Sequence, residues 1–187
     1  IYSYINNMFI QTQETPNPNS LKFIPGKGVS NDGPYEFLNE SQTEIPLLKD
    51  ILSINGVTGI FLSEDFLSIN KSQDEKWENI KHIVISHLNE YYENGNEFII
   101  NKNTPPNDLK DYGEIEKKII RILETKIRPA VARDGGDITF KEFKDGKVTV
   151  VLKGSCSGCP SSTQTLKQGV QNLLCHYIPE VNEVLAV

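Results

Sequence analysis

The chain predicts an α+β protein made of two small α/β-layered domains joined by a linker. Three observations carry this. Strand-length apolar runs alternate with helical stripes in both halves, and an Asn- and Pro-rich stretch at 93–112 lies between them. The charge divides at the same place: 8 basic against 16 acidic side chains over residues 1–112, net −8, and 11 against 9 over residues 113–187, net +2. A chain of 187 residues is long enough for two small cores.

The first unit, residues 8–92, reads strand, strand, helix, strand, strand, helix. Met8 begins a strand over Phe9–Thr12, and Leu21–Ile24 forms the next. Between them Thr15-Pro-Asn-Pro-Asn19 is held extended or turning by its prolines. Leu47, Leu48, Ile51, Leu52 and Ile54 have helical spacing, and Asn55-Gly56 closes that helix. Val57–Leu62 and Phe66–Asn70 pair across Ser63-Glu64-Asp65. Ser72 and Glu75 form a capping box for a helix through Trp77, Ile80, Ile83, Val84, His87, Leu88 and Tyr91.

The linker, 93–112, contains one short apolar run, Phe98-Ile-Ile100. The second unit, residues 113–187, reads α-β-β-α-β. Asp111 and Glu114 cap a helix whose inner stripe is Ile115, Ile119, Ile122, Leu123 and Ile127, with Pro129 disturbing its end. Asp134-Gly-Gly-Asp137 turns into strand Ile138–Phe143, and Asp145-Gly146 makes a hairpin to Lys147–Leu152. A helix starts near Pro160 with Leu166, Val170, Leu173, Leu174 and Tyr177 on one face, and Val181–Ala186 is a short tail strand.

Composition removes several function classes. No apolar stretch approaches the ~18–20 residues of a membrane span, so no membrane partner is expected. No basic stripe suits nucleic acid. Three cysteines with one close pair do not make a secreted disulfide framework, which favours a reducing compartment. Residues 1–7 hold no Arg or Lys, so they show no visible transit or signal peptide.

The chemistry concentrates at Cys156 and Cys159, in Lys153-Gly-Ser-Cys-Ser-Gly-Cys-Pro-Ser-Ser-Thr163, between a strand and a helix start. A helix N-terminus favours thiolate sulfur, and small Ser157 and Gly158 let an inorganic group approach. A tetrahedral metal or an iron–sulfur cluster wants four such ligands. Cys175 lies in the same helix some fifteen residues on, roughly 22 Å away at 1.5 Å per residue, and His176 is as remote. If Cys156 and Cys159 hold a cluster, two chains must each supply two thiolates. A closed zinc site lacks its second ligand pair. A thiol–disulfide oxidoreductase remains the alternative, since a redox C-x-x-C also follows a strand at a helix start, although Ser155 stands where an aromatic is usual. His82, His87 and His176 are scattered, Asp134 and Asp137 read as turn formers, and Arg128 and Arg133 as surface or turn-stabilising residues.

Arg128-Pro-Ala-Val-Ala-Arg-Asp-Gly-Gly-Asp137, Gly154-Ser-Cys-Ser-Gly-Cys-Pro-Ser-Ser162 and Pro179-Glu-Val181 resemble the NifU C-terminal domain. Thr15-Pro-Asn-Pro-Asn-Ser-Leu-Lys-Phe23 and Ile54-Asn-Gly-Val-Thr-Gly-Ile60 are similar to the N-terminal domain of Nfu proteins. The resemblance spans nearly the whole chain. It implies a carrier, not an enzyme, that binds a 4Fe–4S cluster between the two chains of a homodimer through Cys156 and Cys159. It further implies upstream cluster donors and apo iron–sulfur client proteins as partners. Gly154 and Gly158 would make room, and Ser155 and Ser157 would donate to sulfur. The thiol-free first unit would recognise partners or hold the dimer. The expected compartment is a bacterial cytoplasm, with a mitochondrial matrix as the alternative.

Overall fold

The computed structural model describes residues 9–102 and 111–187. The readings of Met8, of residues 1–7 and of the run 103–110 fall outside them. Fold class is α+β, as expected, with two sheets and two cores.

The first sheet is antiparallel throughout, in the order β1-β2-β5-β4-β3. Its strands are β1 (Gln11–Glu14), β2 (Ser20–Ile24), β3 (Tyr35–Phe37), β4 (Val57–Leu62) and β5 (Leu67–Lys71). Helices α1 (Pro46–Leu52) and α2 (Trp77–Glu93) cover one face. Alternate residues Leu21, Phe23, Ile60, Leu62, Leu67 and Ile69 form the core with Leu48, Ile51, Ile80, Val84 and Leu88 from the helices. Strand β3 was not predicted. The capping box is also displaced: β5 runs on to Lys71, so Ser72–Glu75 turn out of the sheet and Lys76 takes the N-cap place. Glu75 still serves the helix start, accepting from the Lys76 N–H at 3.0 Å and from Asn79 at 2.7 Å. Ile99 and Ile100, in the segment read as linker, are buried in this first core.

Strands β2 and β5 are buried on both faces. An antiparallel sheet so placed has a second layer on its far side, and here that layer is the rest of the chain.

The second sheet pairs β6 (Gly136–Lys144) antiparallel with β7 (Lys147–Gly154), and β7 parallel with β8 (Glu183–Ala186). The hairpin turn has positive φ at Asp145 and Gly146, 51° and 75°, which suits the right-handed twist of the strands. Helix α3 (Glu114–Ile122) passes through a π-helical turn (Leu123–Ile127) into α4 (Arg128–Arg133), and α5 (Pro160–Tyr177) packs beside it. The α3 cap falls two residues later than predicted. Glu116, three residues after Gly113, reaches back to accept the Gly113 N–H at 2.8 Å. Pro129 does not end the helix: it stands in the first turn of α4, directly after the π-helical turn, whose i→i−5 bonding ends with the Arg128 N–H on Leu123 O. Tyr177 is half exposed and off the inner stripe of α5, beneath the Lys126 ammonium. Ile178, four residues after Leu174, takes its place in the core.

Candidate cysteine site

Strand β7 ends at Gly154, five residues follow, and α5 begins at Pro160 with Cys159 as its N-cap. Two glycines shape the loop, with φ of +70° at Gly154 and +77° at Gly158, a region costly for side chains carrying Cβ. The loop closes on itself. Ser157 donates from its N–H (3.2 Å) and its hydroxyl (2.9 Å) to Gly154 O, and Thr163 donates to Cys156 O through Oγ1 (3.0 Å).

Beneath it lies the turn Asp134-Gly-Gly-Asp137. Ser155 Oγ donates to Asp134 O, and its N–H donates to Gly135 O at 3.2 Å. Gly136 is pressed against the site, since a Cβ there would stand 2.6 Å from Cys156 Sγ. Arg128 anchors the turn by gripping buried Asp137 through Nε (2.8 Å) and Nη2 (3.2 Å). The sequence marked this turn only as a turn and Arg128 as a surface or turn-stabilising residue, and turn-stabilising is the part it plays. Their place under the cysteines depends on β6 and β7 pairing Gly136 with Gly154.

Cys156 is 8 % exposed and belongs to the second core. It lines an open cavity of about 580 Å³ with Ile127, Val131, Leu166 and Val170, and Pro16 at the rim. Burial pushes its thiol up to about 11. Asp134 and Asp137 add to the rise, and Ser155, whose Oγ stands 3.9 Å from Sγ, opposes it. The expectation of a helix-stabilised thiolate therefore fails at Cys156. The helix starts four residues further on, and desolvation outweighs its dipole. Cys159 is more open, with Sγ 3.4 Å from Ser161 Oγ.

Other expectations shift as well. The Ser157 hydroxyl donates to a main-chain carbonyl, the Ser155 hydroxyl is placed between Asp134 O and, at 3.9 Å, Cys156 Sγ, and Ser161, not singled out from sequence, is the hydroxyl beside Cys159. A Cβ at Gly158 would meet nothing within 4 Å, so open space surrounds it, and its φ of +77° separately calls for glycine in the backbone turn. Helix α5 runs unbroken to Tyr177, which keeps Cys175 near its far end. Among the described residues, no three His, Cys, Asp or Glu side chains converge where a metal ion could sit. None of the helices described is long and apolar enough to cross a membrane.

Fold and loop together define a class: two-layer α+β proteins that present a pair of thiols just ahead of a helix. The comparisons sharpen that. Residues 10–95 match the family model described as scaffold protein Nfu/NifU N terminal, and residues 119–185 match the NifU-like domain. Over 187 residues the chain is 40% identical to the human "NFU1 iron-sulfur cluster scaffold homolog, mitochondrial", covering 98% of this chain and 73% of that protein. Over 183 residues it is 44% identical to the Drosophila sechellia protein of the same name, covering 95% of this chain and 64% of that one. It thus spans a little under two thirds of this fly relative. A solved NifU-like protein from Saccharomyces cerevisiae is 29% identical, covering 55% of this chain and 95% of that one, with a TM-score of 0.47. The chain belongs to the Nfu/NifU family. Both relatives are named mitochondrial, which overturns the expectation of a bacterial cytoplasm.

Proposed function

We propose that the chain is an iron–sulfur cluster scaffold, in the mitochondrial matrix, that carries a 4Fe–4S cluster as cargo between two subunits. Cys156 and Cys159 of each chain supply the four thiolates, and the cluster passes on to apo-proteins. The observation that carries this reading is the ligand count. Two soft donors share one short loop, and the described residues bring no third ligand near them. Thiolates suit iron–sulfur clusters, and four are needed. Handing a cluster on is ligand exchange, which requires no general base and no turnover of a substrate bond. The family and the names of the human and fly relatives support the scaffold role.

The proposal keeps the division into a first unit (8–92), a linker (93–112) and a cysteine-bearing unit (113–187), with Ile99 and Ile100 fastening the linker's start to the first core. The partners are upstream cluster donors and apo iron–sulfur clients.

Anaerobic reconstitution with iron and sulfide, read by visible absorption and bound iron, tests it. Cys156→Ser and Cys159→Ser should each abolish cluster binding, because no thiolate is spare. Cys175→Ala should bind as wild type. A cluster lost with Cys175→Ala in a folded protein, or kept in either serine variant, would remove the assignment. A stable Cys156–Cys159 disulfide that turns over a dithiol substrate would favour the oxidoreductase instead.

A further inference from the structure

We infer that the outer face of the first sheet is a docking surface for the chain's own cysteine loop, and that Cys156 is presented to a partner chain when this contact opens. The register makes the surface visible. Lys22 on β2 lies opposite Ser68 on β5, Ser68 opposite Phe61 on β4, and Phe61 opposite Glu36 on β3. Their strand neighbours point into the helix-covered core, so these four side chains form one row across the other face.

Every member of the row meets the second unit. Lys22 Nζ donates to Ala132 O at 3.2 Å, and Ser68 Oγ to Gly135 O at 2.6 Å. Glu36 Oε1 accepts the Gly154 N–H at 2.9 Å. The Phe61 ring lies against Gly154, where a Cβ would stand 3.0 Å from Cδ1. Beside the row, Asn70 Nδ2 donates to Gly154 O at 3.2 Å and Asn17 Nδ2 to Ser155 O at 3.1 Å. Asn17 is itself fixed, its Oδ1 accepting the Asn19 N–H, which gives the Thr15-Pro-Asn-Pro-Asn run a task.

The pattern is one-sided. In all five hydrogen bonds the first unit offers a side chain and the second a main-chain group. Three of the five fall on Gly154 and Ser155, the two residues before Cys156, one on Gly135 of the strand-entry turn that seats it, and one on Ala132 at the end of α4. Cys156 itself is covered by its own unit, by Ile127, Val131 and Val170; the grip holds the main chain just before it, and so fixes the direction from which the side chain is sent inward. A cluster shared by two chains needs that sulfur at the surface. The face is also suited to release. Lys22, Glu36, Ser68, Asn70 and Asn17 exchange their partners for water at modest cost, and the large apolar groups on this face are the two neighbouring rings Phe61 and Phe66. The purpose of the contact rests on Cys156 being a cluster ligand, whereas the contact itself is measurable without any cluster.

The test uses the full chain, reduced and metal-free, pulsed with N-ethylmaleimide and read by mass spectrometry at Cys156 and Cys175. Cys156 should label slowly in the wild type and about tenfold faster in Glu36→Ala/Asn70→Ala, the opening expected from losing two hydrogen bonds. Asn70→Ala alone should fall between, and Glu36→Gln, which keeps an accepting oxygen, should stay near wild type. Cys175 should label alike in all, reporting an intact second core. Equal labelling of Cys156 across the series overturns the inference, as does acceleration of Cys156 and Cys175 together in Asn70→Ala. Failure of the cluster to form would sink the proposed function and leave this order of labelling standing.

Discussion

Removing the Cys156 thiol should flatten the alkaline side of the stability curve. Burial holds that thiol at about 11, against 9.0 for an unperturbed cysteine in the same scale. Between those values the unfolded chain has lost the proton and the folded chain retains it, so the unfolded state binds fewer protons and stability falls as pH rises. The contribution is whole below pH 9 and is lost as pH climbs through about 11. Two units at 1.36 kcal/mol each give about 2–3 kcal/mol. The assay is urea unfolding of reduced, metal-free wild type and Cys156→Ala at pH 8, 9, 10 and 11. Subtracting one curve from the other cancels tyrosine and lysine titration and leaves any packing cost of the alanine as a constant offset. A difference that stays flat from pH 8 to 11 would refute a desolvated thiol. The same burial bears on loading. Iron must displace the Cys156 proton, so cluster uptake should release acid and quicken as pH rises.

Oligomeric state should follow the cargo, because a ligand held only by the dimer stabilises the dimer. Light scattering should show dimer at about two irons per chain, and dissociation on chelation, since four ligands and four irons are split between two chains. Four irons on a monomer that survives dilution would defeat the sharing. Asp137→Asn leaves the Arg128 guanidinium poorly paired; as Arg128 is about one-third exposed, the cost should be about 2 kcal/mol in urea unfolding, below the fully buried case. A midpoint unchanged from wild type would show the pair to be idle. Gly136→Ala drives a methyl to within 2.6 Å of Cys156 Sγ and 2.7 Å of Lys153 O. It should cost about 1–3 kcal/mol and weaken cluster retention more than Gly158→Ala, where the added methyl meets open space and only the +77° φ is strained.

The cysteine loop could be read from sequence because its meaning lies in spacing: two thiols three apart, one glycine before them and one between, a strand before and a proline-started helix after. The second unit's strands were similarly plain, since Asp145-Gly146 demands a tight hairpin between two β-branched runs. Strand β3 was missed because three residues, Tyr-Glu-Phe, show no period, and Asn, Gly and Pro precede them. Cys156's burial and raised pKa could not be seen, because they come from Ile127, Val131 and Val170, brought to the loop only by tertiary packing. The contact between units was hidden for a different reason. Lys22, Ser68 and Asn70 alternate with apolar neighbours as a solvent face would, and the groups they hold are main-chain atoms, which leave no mark in a sequence.

The π-helical turn at Leu123–Ile127 has a consequence for how the chain tolerates insertion and deletion. Ile119, Leu123, Ile127 and Val131 all lie in the second core, each four residues after the last. In a uniform α-helix at 100° per residue each such step overshoots a full turn by about 40°, so the fourth member would leave the face the first began. The wider turn carries the surplus residue and brings the stripe back into line. Excising one exposed residue there, such as Thr125, would leave a plausible helix and a shorter chain that still reads as amphipathic. Ile119 and Val131 would then be eleven residues apart, within about 20° of three full turns, so Arg128 would keep its place opposite Asp137, whereas the same excision outside the π turn would rotate everything beyond by roughly 100°. The one apparent irregularity in that helix is therefore the phase correction that keeps a distant loop in position.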